Sequence, residues 1–173
     1  TPEDWKSYRF YTTEQDTVTA IRKGVVVEIK DLYETTEGDG VAYTSKTNEL
    51  IIEHGDGTLA TYRGFKKGSF KVKIGQTVFP GTSLGVNSKY DKNGRYNVSV
   101  MITYLKSADF ENKSTSLSKS KSFYGFITPH FMTEVSPNEV LASQKTYQAT
   151  STPDVVQKEM SKKEIKLLAN PKK

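Results

Sequence analysis

The chain has 173 residues, a formal net charge of +5, 35% hydrophobic residues and no cysteine. That length suffices to bury a core without covalent or metal staples, and the missing thiols exclude disulfides, thiolate nucleophiles and cysteine metal sites. No apolar run approaches the roughly 18 residues of a membrane span, so none is expected.

The excess charge lies at one end. From Lys158 onward there are six lysines (158, 162, 163, 166, 172, 173) and two glutamates (159, 164), which leaves only +1 for everything before. Basic residues alternate with aromatics in YRFY (8–11) and YRGFKKGSFKVK (62–73), a composition found on single-strand-binding surfaces. In a body this close to neutral the alternation reads better as strands with solvated cations, and no nucleic-acid partner is expected. Thr1 in place of methionine is the expectation for a trimmed form from which any export signal has been removed.

In chain order, Trp5 stands in a polar arm and is expected to pin it to the body, and Tyr8 to Tyr11 reads as a first strand. In DTVTAIRKGVVVEI (16–29), Val25, Val27 and Ile29 are expected to share one face. Asp31 to Thr47 has no apolar face and reads as a long polar loop. The organising stretch is Asn48 to Val86. Leu50, Ile51 and Ile52 form an apolar run that stops at His54, Gly55-Asp56-Gly57 permits a tight reversal, and Leu59 to Tyr62 runs back. Beyond it Gly75, Val78, Gly81 and Leu84 recur every third residue, so the backbone turns repeatedly and carries Val78 and Leu84 into one core. Two segments with valines and glycine at turns hint at an internal duplication.

Asn93-Gly94 is a hairpin signal. It feeds a strand in which Tyr96, Val98, Val100, Ile102 and Tyr104 face one way and Asn97, Ser99, Met101 and Thr103 the other. The serine- and lysine-rich stretch 106–122 reads as a loop or linker between a β domain, 1–105, and a C-terminal extension, 123–173. In the extension, Phe123 to Ile127 has strand character and Ser136-Pro137-Asn138-Glu139 opens a short helix or turn. Thr152, Pro153 and Asp154 predict the capped start of a helix of about 15 residues, with a thin apolar stripe of Val156, Met160 and Leu167. The expected fold class is all-β: antiparallel sheets in a barrel-sandwich-like duplicated hybrid motif, with a long polar loop and a C-terminal α-helical appendage.

Three blocks carry a resemblance: Val18 to Val27, NELIIEHGDGTLATYRGF (48–65) and VKIGQTVFPGTSLGV (72–86). Together they resemble the lysostaphin-type (LytM-like) zinc peptidases of bacterial cell wall, over roughly residues 8 to 104, and the C-terminal region looks like tails on exported members of the Bacteroidetes type. The resemblance implies a zinc held by a His and an Asp of the first strand region and one His of a late H-x-H. The other His of that pair, with the one in Y-x-H-L, assists catalysis. This chain has two histidines, His54 in the H-G-D-G-T turn, which lies outside the family's metal shell, and His130. At the Y-x-H-L position it reads Tyr62-Arg63-Gly64-Phe65, at the late H-x-H Asn97-Val98-Ser99, and at the first site Tyr8 to Tyr11, without histidine or carboxylate.

A hydrolytic zinc needs about three protein ligands and an open position. No catalytic residue, metal ligand or cofactor is therefore assigned, and the reading leans away from an enzyme. Tyr8, Phe10, Tyr62, Arg63, Asn97 and Ser99 remain as the lining of a ligand groove, in which Arg63 suits a carboxylate. The resemblance implies a pseudo-peptidase of the periplasm or cell envelope that binds peptidoglycan peptide or a cell-wall hydrolase. A zinc endopeptidase with atypical ligands and a purely structural envelope protein are the alternatives.

Overall fold

The computed structural model describes residues 4–34, 46–90, 93–106 and 123–170. Among these residues the elements are β1 (Tyr8–Thr12), β2 (Thr17–Thr19), β3 (Gly24–Lys30), β4 (Asn48–Glu53), β5 (Leu59–Phe65), β6 (Thr77–Val78), β7 (Ser83–Val86), β8 (Ser88–Lys89), β9 (Tyr96–Leu105), β10 (Tyr124–Phe126), α1 (Pro153–Gln157) and α2 (Lys162–Ala169). One sheet runs β1-β9-β5-β4-β3-β6, with β8 and β10 also on β9, and β2-β7 forms a small second sheet. Every pairing is antiparallel. The protein is thus all-β with a C-terminal helical appendage. Its core joins Leu50, Ile52, Ala60, Tyr62, Val78, Val100 and Ile102 of the large sheet to Val18, Ala20, Val72 and Leu84.

Local chemistry places these strands. The β4–β5 reversal closes as the His54 N–H donates to the Thr58 carbonyl at 2.8 Å and the Gly57 N–H to the His54 carbonyl at 2.9 Å, with Gly57 at φ +80°. The glycine-timed turns tie to the earlier segment. Gly75 N–H donates to the Val26 carbonyl at 2.8 Å and Gly81 N–H to the Ala20 carbonyl at 2.9 Å. As a result β2 pairs with β7 and β3 with β6, so the two similar-looking segments interlock, and Val78 and Leu84 are fully buried.

Strand β3 divides the face expected for Val25, Val27 and Ile29. Val26 is the fully buried valine, whereas Val25 and Val27 are 40% and 39% exposed. Gly24 starts the inward set because an added Cβ would lie 2.5 Å from the Glu53 carbonyl oxygen. A register shift between Val26 and Glu28 then inserts one residue, after which Ile29 packs against the core.

The extension returns to the sheet. β10 pairs with the far end of β9, Ile127 N–H donates to the Ile102 carbonyl at 2.9 Å, and Phe131 packs on Tyr8 and Phe10 at 5.8 and 6.0 Å between ring centroids. Trp5 meets Phe126 at 6.5 Å and Lys6 bonds Thr128, so the N-terminal arm is pinned here. Ser136-Pro137-Asn138-Glu139 opens no helix: Pro137 and Asn138 bend the chain within the loop that the Phe131–Glu139 bridge closes. The single long helix is replaced by two short ones. Thr152 caps α1 as expected, but Ser161 and Glu164 form a reciprocal capping box that starts a new helix, and Ser161 itself is extended. Residues 35–45 of the polar loop and 107–122 of the expected linker lie outside the described residues.

Candidate functional site

The register of the large sheet decides which side chains meet. Tyr8 pairs with Val100, Val100 with Tyr62 and Tyr62 with Leu50, a row on the core face. Arg9 pairs with Ser99, Ser99 with Arg63, Arg63 with Glu49 and Glu49 with Lys30, a polar row on the opposite face. Arg63 Nε lies 3.0 Å from Glu49 Oε2, and Lys30 Nζ 3.9 Å from Glu49 Oε1. Arg63 and Glu49 each keep only 17% of their side chains exposed, so water screens this pair less than a surface pair. One turn along the sheet, Tyr11 pairs with Asn97, and the Arg95 guanidinium stacks on the Tyr11 ring at 3.9 Å.

The six residues proposed for the groove therefore divide between two faces. Tyr8 and Phe10 pack on Phe131, and Tyr62 is buried with its hydroxyl accepting from the Ile21 N–H at 3.0 Å. Burial drives the Tyr62 pKa well above the usual phenol range, against the pull of that hydrogen bond. Arg63, Asn97 and Ser99 stand together on the polar face, where Asn97 is buried and donates from Nδ2 to the Arg95 carbonyl at 3.0 Å. Arg9, Glu49, Lys30 and Tyr11 complete that face. Alternation in YRFY and NELIIE carried their signal, but it becomes usable only once the partner strands are known.

A zinc ion does not fit here. Ser99, which the resemblance aligns with the late H-x-H, is flanked on both neighbouring strands by arginine, which disfavours a divalent cation. Gly64, which the resemblance aligns with an imidazole, sits at φ +107°, and an added Cβ would lie 2.9 Å from the Asn97 carbonyl oxygen. Among the described residues no three His, Asp or Glu side chains come together as a ligand set. What the polar face offers is guanidinium and hydroxyl donors beside one carboxylate, an arrangement for holding an anionic group.

A second polar cluster forms at the hairpin end. His54 Nδ1 lies 2.9 Å from Thr58 Oγ1, and Thr58 Oγ1 lies 2.7 Å from Asp56 Oδ1. Burial alone would raise Asp56, but hydrogen bonds from Thr58 and Arg22 outweigh it and hold the carboxyl well below its usual range, so it is ionised and only accepts. The Thr58 hydroxyl must then donate to Asp56, and His54 must donate from Nδ1 to Thr58. This fixes the imidazole tautomer with a bare Nε2, buried and without a hydrogen-bond partner among the described residues. Burial first, then the nearby Arg22 charge, lowers the His54 pKa and keeps the ring neutral. Asp56 caps its own turn, as its place in Gly-Asp-Gly predicts, and its further bond to Arg22 depends on long-range packing.

No protein-family model matches the chain, and no curated protein matches it. Among solved structures it is similar to the NMR solution structure of lysostaphin, with 18% identity and a TM-score of 0.43 over 67% of this chain. The similarity covers 40% of that protein's chain, so this chain spans well under half of its length.

Proposed function

We propose that the protein is a non-catalytic, peptidase-like binding module of the bacterial cell envelope, exported to work there, whose polar sheet face holds the carboxylate of a peptidoglycan stem peptide. The observation that carries this reading is the row Arg9–Ser99–Arg63, with cations and a hydroxyl standing where the resemblance expects a zinc cage. Guanidinium groups bind carboxylates through paired, charge-assisted hydrogen bonds, and Glu49 beside Arg63 limits rotation of its head before a ligand arrives. The stacked Tyr11–Arg95 pair borders the row and offers a flat surface for a peptide or sugar.

The test is calorimetric titration of the full chain with a purified muropeptide that has a free carboxyl end, beside its amidated counterpart. Binding should be seen with the first and fall roughly tenfold, about 1.4 kcal/mol, with the second and with Arg63→Ala. Lack of binding by the native chain would retire the reading. So would chelator-sensitive cleavage of cross-linked peptide after incubation with zinc.

A further inference from the structure

The C-terminal helices are attached to the body in a different way from every strand. Neither α1 nor α2 contains a buried residue. Helices of five and eight residues are too short to persist unaided in water, so their order depends on caps and on what they touch. The hydrogen bonds and ion pairs that reach them from the body come from the β2–β3 connection. Arg22 grips Glu159 through Nε, 2.9 and 3.0 Å from the two carboxylate oxygens, and Nη2, 2.6 Å from Oε1. Lys23 Nζ donates to the Glu159 carbonyl and to Glu164 Oε2, both at 3.0 Å. Between this arm and the hairpin lies a cleft of about 380 Å³, with Glu159 and Glu164 on the arm side and Gly24, Glu53, His54 and Thr77 among its walls on the body side.

The body's half of the clasp is built independently of the arm. Arg22 Nη1 is held by Asp56 Oδ2 at 2.7 Å, and Asp56 is fixed by the Thr58 amide and hydroxyl. Removing the arm leaves Arg22 still oriented and still neutralised by Asp56. The arm loses its ionic anchors but keeps both caps. Each anchor is between a quarter and two fifths exposed on its side chains, so salt reaches it.

We propose that residues 152–169 form a charge-held latch that walls the cleft beside His54 and detaches as a unit without unfolding the sheet. Opening removes the wall made by Glu159 and Glu164 beside His54, which is buried while its neighbours Glu53 and Gly55 are already exposed. The latch is a two-state element biased by ionic strength, and any cationic ligand that competes for Glu159 or Glu164 would bias it the same way.

Amide hydrogen exchange on the full chain tests this, comparing low salt with about 1 M salt, where the Debye length shrinks to about 3 Å. Ile165 and Asn170 amides, which bond to the Ser161 and Lys166 carbonyls, should exchange roughly tenfold faster at high salt and in Glu159→Gln, while amides of β4 and β5 keep their protection. Arg22→Lys should fall between the native chain and Glu159→Gln, because it keeps the charge and loses the fork. Unchanged α2 protection in both conditions would overturn the proposal. Loss of β4 and β5 protection in step with α2 would overturn it as well, since the arm would then be part of the cooperative fold.

Discussion

The β4–β5 hairpin and the α1–α2 arm face each other across one cleft, yet they are held by different physics. In the hairpin Leu50, Ile52, Ala60 and Tyr62 are fully or almost fully buried, and each falls on the inward beat of a period of two. In the arm order comes from Thr152, Ser161 and Glu164 as caps, with Arg22 and Lys23 as tethers. Stabilisation by apolar area removed from water scales with what is packed and is not screened by salt, whereas solvent-accessible charge pairs are individually weak and screened. The hairpin is therefore the part whose loss unfolds the molecule, and the arm is the part that can change state while the molecule stays folded.

The largest effect expected from breaking this contrast is at Leu50, which has no exposed surface. Leu50→Ala should reduce unfolding free energy by about 2–5 kcal/mol, read as a lowered urea midpoint with unchanged slope. Truncation before Thr152 should move the same midpoint far less. Equal losses from the two changes would show that the arm and the sheet stabilise one another, and the contrast would fail. A smaller effect is expected at Gly64, whose φ of +107° and close approach to the Asn97 carbonyl leave no room for a side chain. Gly64→Ala should cost about 1–3 kcal/mol of stability, and Gly64→His should be no milder, because strain and clash begin at Cβ. A melting temperature unmoved by Gly64→Ala would mean that the β5–β9 contact adjusts freely.

The same contrast explains how much could be read from the amino-acid order. The hairpin was legible because Leu50 to Tyr62 carries its turn chemistry and its inward residues within one short window. The split of Val25 and Val27 from Ile29 was not, since a single inserted residue after Val26 reverses alternation and shows only in the pairing with β4. Thr152 marked the first helix correctly, but the stripe from Val156 to Leu167 concealed a restart at Ser161, although Ser-x-x-Glu is itself a local signature. The six residues expected to line a groove fall on two faces of the sheet. Arg63 and Ser99 are neighbours through the β5–β9 register, while Tyr8 and Phe10 point to the core beneath Phe131, a residue of the extension that no nearby pattern connects to them.

The smallest effect sharpens the comparison most, because it separates capping from charge inside the arm. Ser161 Oγ accepts from the Glu164 N–H at 3.3 Å, and Glu164 Oε2 in return accepts from the Ser161 N–H at 2.7 Å. That backbone bond, followed by the one from Lys23, holds the Glu164 carboxyl down to about 2. Ser161→Ala removes only the hydroxyl half of the box and leaves Glu164 free to keep Lys23. Loss of one N-cap oxygen weakens a helix by about 1 kcal/mol, so α2 amides should exchange several-fold faster at low salt. The urea midpoint should stay where it is, because no buried contact of the sheet passes through Ser161. A midpoint that falls with the cap would place α2 inside the cooperative unit defined by Leu50, and the boundary between packed sheet and tethered arm would have to move.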